Sequence, residues 1–403
     1  MENKALPRSL LLIMAIGTGM VVADNYYTQP LLGEIARSFH ATESEVSLIP
    51  TLTQLGYASG LFFIVSLGDK FERKKLILTD LVFVIIVLIA NGLATSLGLL
   101  LVASFFLGLF SVIPQLFVPM SAQLASDDKR GAAIGTVMTG MLSGVLLSRT
   151  VSGVVGAHWG WRTIFFLAAG ALTVLWIVLK IRLPVIAAEF KGNYRQLLSS
   201  VVDQYRERRQ LRLAAIRGAL DFGAFSVFWT TLVFLLERSP FNMGSDAAGT
   251  FGFVGVAGAF AAGYIGKLAD RISKNRLIYY AVFTILISWI IMGFFAQSLM
   301  GLILGALFLD LGIQSVHITN QTIIFEGNPS ARNRINTVYM VHYFVGGALG
   351  TTVGGLIWSH FGWHGVCIAG FIFALGILFF NSGKPRNESP VGLMNSKTNA
   401  LKL

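Results

Sequence analysis

Apolar residues in this chain come in blocks. Runs of about 20 residues nearly free of charge, the length an α-helix needs to cross roughly 30 Å of hydrocarbon, recur from the N-terminal region to beyond residue 380. They fall at about 9–30, 45–67, 75–95, 97–123, 131–156, 162–181, 212–237, 246–266, 276–296, 299–325, 335–357 and 364–382. The connections are short and polar, except a long one over about 182–211 and a tail after Gly383. This pattern predicts an all-α polytopic membrane protein with 12 transmembrane helices. The organisation is a six-helix bundle over 1–181, a cytoplasmic central loop over 182–211, a second six-helix bundle over 212–383 and a tail over 384–403. The first block has Lys4 and Arg8 ahead of it, as a secretory signal would, but it lacks a small-residue cleavage site and leads into further blocks, so it reads as a first span.

Charge orients the spans. With the N-terminus in the cytoplasm, 27 of the 31 Lys and Arg residues fall on that side. Three, Arg37, Arg162 and Arg238, fall on the other, and Arg149 lies inside a span. Such a bias places both termini in the cytoplasm and accounts for the net charge of +11 without a nucleic-acid partner. Hydrophobic residues at 54% and charged residues at 13% exclude a soluble enzyme, a disordered chain and a disulfide scaffold. The single cysteine, Cys367, sits in an apolar stretch and reads as a packing residue. No GxxxxGK[ST], HExxH or GxSxG pattern occurs, which argues against an ATP-driven pump or an enzyme, and no cofactor or metal is expected.

The two halves resemble each other. Gly153, His158, Gly160 and Trp161 at the end of the fifth block match Gly355, His360, Gly362 and Trp363 at the end of the eleventh, at an offset of 202. The loop Asp69-Lys70-Phe71-Glu72-Arg73-Lys74 has a counterpart in Asp270-Arg271-Ile272-Ser273-Lys274-Asn275. Six spans plus six with internal similarity suit a transporter of two parallel halves around a central cavity. Over nearly its whole length the chain resembles a Major Facilitator Superfamily transporter, whose loop signature is Gly-x-Leu-Ala-Asp-Arg-x-Gly-Arg-Lys. Gly266-Lys267-Leu268-Ala269-Asp270-Arg271 fits it, while the first copy has Val65 and Glu72 where glycines are usual. Tyr27-Thr28-Gln29-Pro30-Leu31-Leu32 resembles the Tyr-Asn-Gln-Pro-Leu-Leu stretch of bacterial drug/proton antiporters (the DHA1 type), as do Ser148–Gly153, Asp310-Leu311-Gly312, Asn320-Gln321 and Arg334–Met340. The resemblance implies a bacterial inner membrane and a latch between the halves formed by Asp69, Lys70, Arg73, Asp270 and Arg271. The chain departs from those antiporters at Ser104, where they carry an arginine, and at Arg149, near their fifth-span proline.

A charge in hydrocarbon costs at least about 2.5 kcal/mol, so ionisable residues inside spans are functional candidates. These are Asp24, Arg149, Asp221 and Asp310. At about 1.5 Å per residue, Asp24 and Arg149 lie in the outer half, and Asp221 and Asp310 near the midplane. The resemblance makes the first and fifth helices neighbours and so implies an Asp24–Arg149 pair, either a proton carrier or a static ion pair that fixes packing. Arg217, four residues before Asp221, is an alternative partner for that carboxylate. Three carboxylates against one arginine suit protons or a cationic substrate. Gln54, Gln115, Gln314, His317, Asn320, Gln321 and His342 either touch substrate or hydrogen-bond across helices. Tyr26, Tyr27, Phe222, Phe225, Trp229, Tyr339 and Tyr343 offer faces to a lipophilic cation, against the alternatives of an interfacial belt or lipid contact. Glycines 140, 144, 153 and 156, and 346, 347, 350, 354 and 355, form small-residue stripes suited to sliding contact between halves. The expectation is a monomeric, proton-coupled exporter of small amphipathic or cationic compounds, whose partners are that substrate, protons and membrane lipids. Uptake of a nutrient or metabolite is the alternative.

Overall fold

The computed structural model describes residues 6–68, 70–126, 129–186, 192–255, 272–326 and 331–381. Regular structure among them is entirely helical, as a bilayer without water to satisfy peptide groups demands. The first span is α1 (Arg8–Ala23), a 3₁₀ turn (Gln29–Leu31) and α2 (Leu32–Phe39). The second is α3 (Glu43–Val46) and α4 (Leu48–Gly60), continued by a π-helical turn over Leu61–Val65. Then come α5 (Arg73–Gly92), α6 (Leu97–Phe110) with α7 (Pro114–Leu124), α8 (Arg130–Trp159) and α9 (Thr163–Arg182). After α10 (Tyr194–Glu207) the second set begins with α11 (Arg209–Glu237). The eighth span opens with α12 (Ser245–Thr250) and a 3₁₀ turn (Phe251–Val254). α13 (Lys274–Phe294), α14 (Leu299–Phe325) and α15 (Arg332–Asn381) complete the described chain. Nine of these helical stretches are long and apolar enough to cross a membrane. The expected spans and the observed helices agree to within a few residues at most ends.

Two local features depart from the block pattern. The first span is not one helix. After Ala23 the backbone amides of Asp24, Asn25 and Tyr26 bond three residues back, tightening the chain into a turn that Pro30 then restarts. The eleventh and twelfth spans share α15, interrupted only at Gly362 (φ 59°). Gly160 (φ 81°) ends α8 in the same way, and no neighbour lies within 4 Å of a Cβ at either position. Glycine is therefore required there by the left-handed backbone alone. The histidine two residues before each glycine bonds the carbonyl four residues back, His158 to Val154 and His360 to Leu356, both at 2.9 Å. The duplication reaches further than the sequence match. Ser96 and Ser298 cap α6 and α14 through the amides of Leu99 and Gly301, each at 3.3 Å. Arg73 ties α5 to Gln123 at 2.6 Å, and Lys274 ties α13 to Glu326.

The glycine stripes serve two kinds of contact. Gly140 and Gly144 put α8 against the backbone of α1 at Ala15 and Gly19. Gly346 and Gly350 put α15 against α11 at Ala219 and Gly223. These contacts lie within the first six spans and within the last six. Of the stripe glycines, Gly153, against Ser245 and Gly249, Gly347, against Gln54, and Gly355, against Ser47, face the other set. The sliding-interface expectation is thus corrected for most of the stripe: these glycines fix helix pairs at backbone contact. The central connection also differs from a plain loop. Leu197 and Val201 of α10 are buried, the Tyr194 hydroxyl donates to the Phe63 carbonyl at 2.8 Å, and Tyr205 stacks on His342 at 4.8 Å.

Gly144→Ala therefore forces α1 and α8 apart and costs about 1–3 kcal/mol. Gly135→Ala, with open space around the new methyl, gains about 0.5–1 kcal/mol in helix propensity. Thermal melts of the purified protein read out both. Equal melting points for the two variants refute the close-packing account.

Candidate functional site

Arg149 is 2% exposed, about two-thirds of the way along the long α8. Its Nε donates to Gln29 Oε1 at 2.7 Å, and its Nη1 makes a long contact of 3.5 Å to the Val145 carbonyl. Nη2 is buried with no hydrogen-bond partner. The guanidinium lies over three aromatic rings, Trp229 at 4.1 Å, Tyr26 at 4.9 Å and Phe225 at 5.6 Å. Gln29 and Tyr26 come from the first span, Trp229 and Phe225 from α11, so both sets of six spans build the site. A small cavity beside it is lined by Gln29, Pro30, Arg149, Trp229, Leu232, Val233 and Ala248.

Asp24 is not the partner of Arg149. Both Asp24 oxygens are buried without a hydrogen-bond partner, and no ion pair reaches Arg149 among the described residues. The turn after Ala23 is the reason: it brings Tyr26 and Gln29 to α8 and leaves Asp24 beside Tyr27. The carboxylate within electrostatic range of Arg149 is Asp310, on α14, which also faces the Trp229 indole. Its Oδ1 has no hydrogen-bond partner. The Arg217–Asp221 alternative is not formed either. Arg217 donates to Asn320 Oδ1 at 3.0 Å and Asn381 Oδ1 at 3.3 Å, and both Asp221 oxygens stand alone.

From Trp229 a column of rings runs towards the charge-rich end. Trp229 meets Phe225 at 5.9 Å, Phe225 stacks on Phe222 at 5.4 Å, and Phe222 stacks on Tyr343 at 4.2 Å. Tyr343 packs on His317 at 4.7 Å, and His317 Nδ1 lies 3.1 Å from the Tyr339 hydroxyl. Gln54 bridges the two sets of spans, with Nε2 donating to Ser226 and Oε1 accepting from Thr351, both at 3.4 Å. Gln115 meets the Tyr57 hydroxyl at 3.5 Å within the first set. His342 bonds the Val338 carbonyl and faces α10, so it stands away from this column. Gln314 and Gln321 are half-buried on α14. Ser104, at the position of the antiporters' arginine, donates to Asn91 at 3.3 Å.

Of the latch residues, Asp69, Asp270 and Arg271 lie outside the described residues, and Lys70 is half-buried. Arg73 is buried and held by the Gly68 carbonyl and Gln123. Sequence reasoning passed over Gln29, quoted there only as part of a motif, and Asp80, a buried α5 carboxylate whose Oδ2 has no hydrogen-bond partner. A polar residue within an apolar run was the available signal for both.

At the charge-poor end the two sets close on each other. Arg37 pairs with Glu237 at 2.8 Å, and Arg238 grips Glu43 through both oxygens at 2.8 and 2.9 Å. Trp358 donates to Glu43 at 2.7 Å, and Ser245 bridges Glu34 and the Gly153 carbonyl. The arginine side chains are 63% and 57% exposed, so each pair contributes only about 0–1 kcal/mol.

Residues 14–342 match the Major Facilitator Superfamily. The chain is 42% identical to the uncharacterized transporter YgaY of Escherichia coli O157:H7, over 96% of this chain and 98% of that one. It is 24% identical to the multidrug resistance protein MdtG of Klebsiella pneumoniae, over 83% and 81% respectively. A bacterial homolog of the human lysosomal transporter Spinster, solved inward-facing and unoccupied, has the same fold at a TM-score of 0.74 and 15% identity, covering 93% of this chain and 94% of that one.

Removing Glu43 takes out the bidentate pair and the Trp358 bond together. With Cys367→Ser as background, Glu43→Ala raises labelling of a Ser47→Cys probe by a membrane-impermeant maleimide about two- to fivefold, the reach of about 1 kcal/mol. Unchanged labelling means these contacts do not hold that end closed.

Proposed function

Because the chain belongs to the Major Facilitator Superfamily, we propose that it is a proton-coupled secondary active transporter of small amphipathic compounds, exporting them from a bacterial cell. One observation carries the reading. A buried arginine, aromatic rings and a carboxylate without an ion-pair partner among the described residues meet at Arg149, Trp229 and Asp310, in a site that both sets of six spans build. Such a centre changes whenever the two sets move, which is what alternating access requires. The Lys and Arg excess supports placing the charge-poor end outside and both termini in the cytoplasm. The membrane on this reading is the inner one, and the chain works as a monomer.

Similarity to MdtG and the Tyr27–Leu32 stretch support export and the drug/proton-antiporter subgroup. Asp310 is the carboxylate proposed to carry the coupling proton: it is buried, without an ion-pair partner, and faces the arginine. Asp24 and Asp221 stand further from that arrangement. Gln54, which links α4 to α11 and α15, is proposed to sense the change of state. The loop residues Asp69, Lys70, Arg73, Asp270 and Arg271 remain the proposed latch at the cytoplasmic end. Uptake of a metabolite is the second reading, favoured by Ser104 standing where the antiporters' arginine would be.

Proton flux in everted membrane vesicles tests the proposal. After energisation, transported compounds from a panel of amphipathic cations, anions and neutral molecules dequench a pH-sensitive dye. Asp310→Asn reduces that response at least tenfold, and Asp24→Asn and Asp221→Asn leave most of it. Accumulation in intact cells with no dequenching by any compound replaces export with uptake.

A further inference from the structure

We propose that Arg149 binds an anionic group of the substrate, a carboxylate or a group of like shape, while a flat apolar body lies along Trp229, Phe225 and Phe222. This rests on the reading that the Arg149 centre is the substrate site, and it holds for either direction of transport. It reverses the charge suggested by counting three acids against one arginine.

The argument is about which charge can be removed. Asp24, Asp221 and Asp310 have no ion-pair partner among the described residues, and a carboxylate in that position can take a proton and become neutral. A guanidinium cannot shed its charge in a protein. When the acids are protonated, the centre is left with one permanent positive charge. That charge is incompletely satisfied. A guanidinium has five N–H donors in a planar fork. Here Nε is used by Gln29, Nη1 makes only the 3.5 Å contact to Val145, and Nη2 has no acceptor. The rings of Tyr26, Phe225 and Trp229 attract the cation through their faces but offer no lone pair. A buried cation lacking an acceptor is costly. A carboxylate approaching in the guanidinium plane supplies the missing bonds in bidentate form, the geometry arginine favours. A small cavity adjoins Arg149, with Trp229 as one wall. Beyond Trp229 the aromatic column continues through Phe225, Phe222 and Tyr343, an apolar surround for the rest of the molecule.

The test uses three probes with one ring system: 2-naphthoate, 2-naphthylmethylammonium and 2-naphthamide. Binding to the purified full-length protein in lipid nanodiscs is measured by calorimetry. Naphthoate binds at least tenfold more tightly than the ammonium or the amide. Arg149→Gln loses at least tenfold for naphthoate and nothing for the ammonium, and Arg149→Lys falls between, because it keeps the charge and loses the fork. The comparison of probes on the wild type stands even if a variant fails to fold. Equal or tighter binding of the ammonium, full naphthoate binding by a folded Arg149→Gln, or no naphthoate binding overturns the assignment. The vesicle panel separates this from failure of the transport reading. If cations dequench the dye and naphthoate does not, the anion site falls and the transporter stands. If no compound moves in vesicles or cells, the transport reading falls.

Discussion

The fold depends on direct backbone contact between helices. In hydrocarbon no hydrophobic force separates helix from lipid, so pairs hold by close packing and by the polar bonds that close approach permits. At Gly140 and Gly144 the α8 backbone meets that of α1, and at Gly346 and Gly350 the α15 backbone meets that of α11. These contacts hold α1 to α8 and α11 to α15 as tight pairs. Contact between the two sets combines a close backbone approach, Gly153 against Ser245 and Gly249, with bonds between side chains. It also runs through half-exposed ion pairs at Glu43 and Glu237, side-chain bonds at Gln54, and the stripe glycines Gly347 and Gly355.

The centre follows from the same constraint. With α1 held against α8 by Gly19 and Gly144, the turn after Ala23 falls beside Arg149. Gln29 and Tyr26 then reach the guanidinium from one set of spans while Trp229 and Phe225 reach it from the other. Arg149 is thus a joint between the sets as well as a charge, and any movement that opens the charge-poor end alters its surroundings.

Much of this was legible in the residues. Apolar run length located the spans, and the Gly-Trp repeat at 160–161 and 362–363 announced the duplication that the paired left-handed glycines bear out. The candidate residues Tyr26, Arg149, Phe225, Trp229 and Asp310 do meet. The pairings were not legible. Depth along a helix put Asp24 level with Arg149, but which residues face α8 is decided by the break after Ala23, and run length carries no sign of that break. Arg217 and Asp221 are four residues apart, yet Arg217 turns to Asn320 and Asn381 on other spans. Helical spacing shows which residues are near, and tertiary packing decides among them. Gln29 passed unremarked because its role depends on the same turn.

The short helix in the central connection has a mechanical consequence. α10 is tethered at one end to the second span, through Tyr194 on the Phe63 carbonyl, and at the other to the eleventh, through Tyr205 on His342. About 11 residues of helix separate these anchors, a rigid rod of roughly 16 Å. A rod does not stretch, so a change in the spacing of those spans must release one anchor. The Tyr194 anchor is a single hydrogen bond worth about 1 kcal/mol, whereas the other end is also held by buried Val201, worth about 1.5–3 kcal/mol, so the Tyr194 end yields first. The linker therefore acts as a detent, a catch that holds one spacing lightly and gives way under modest load.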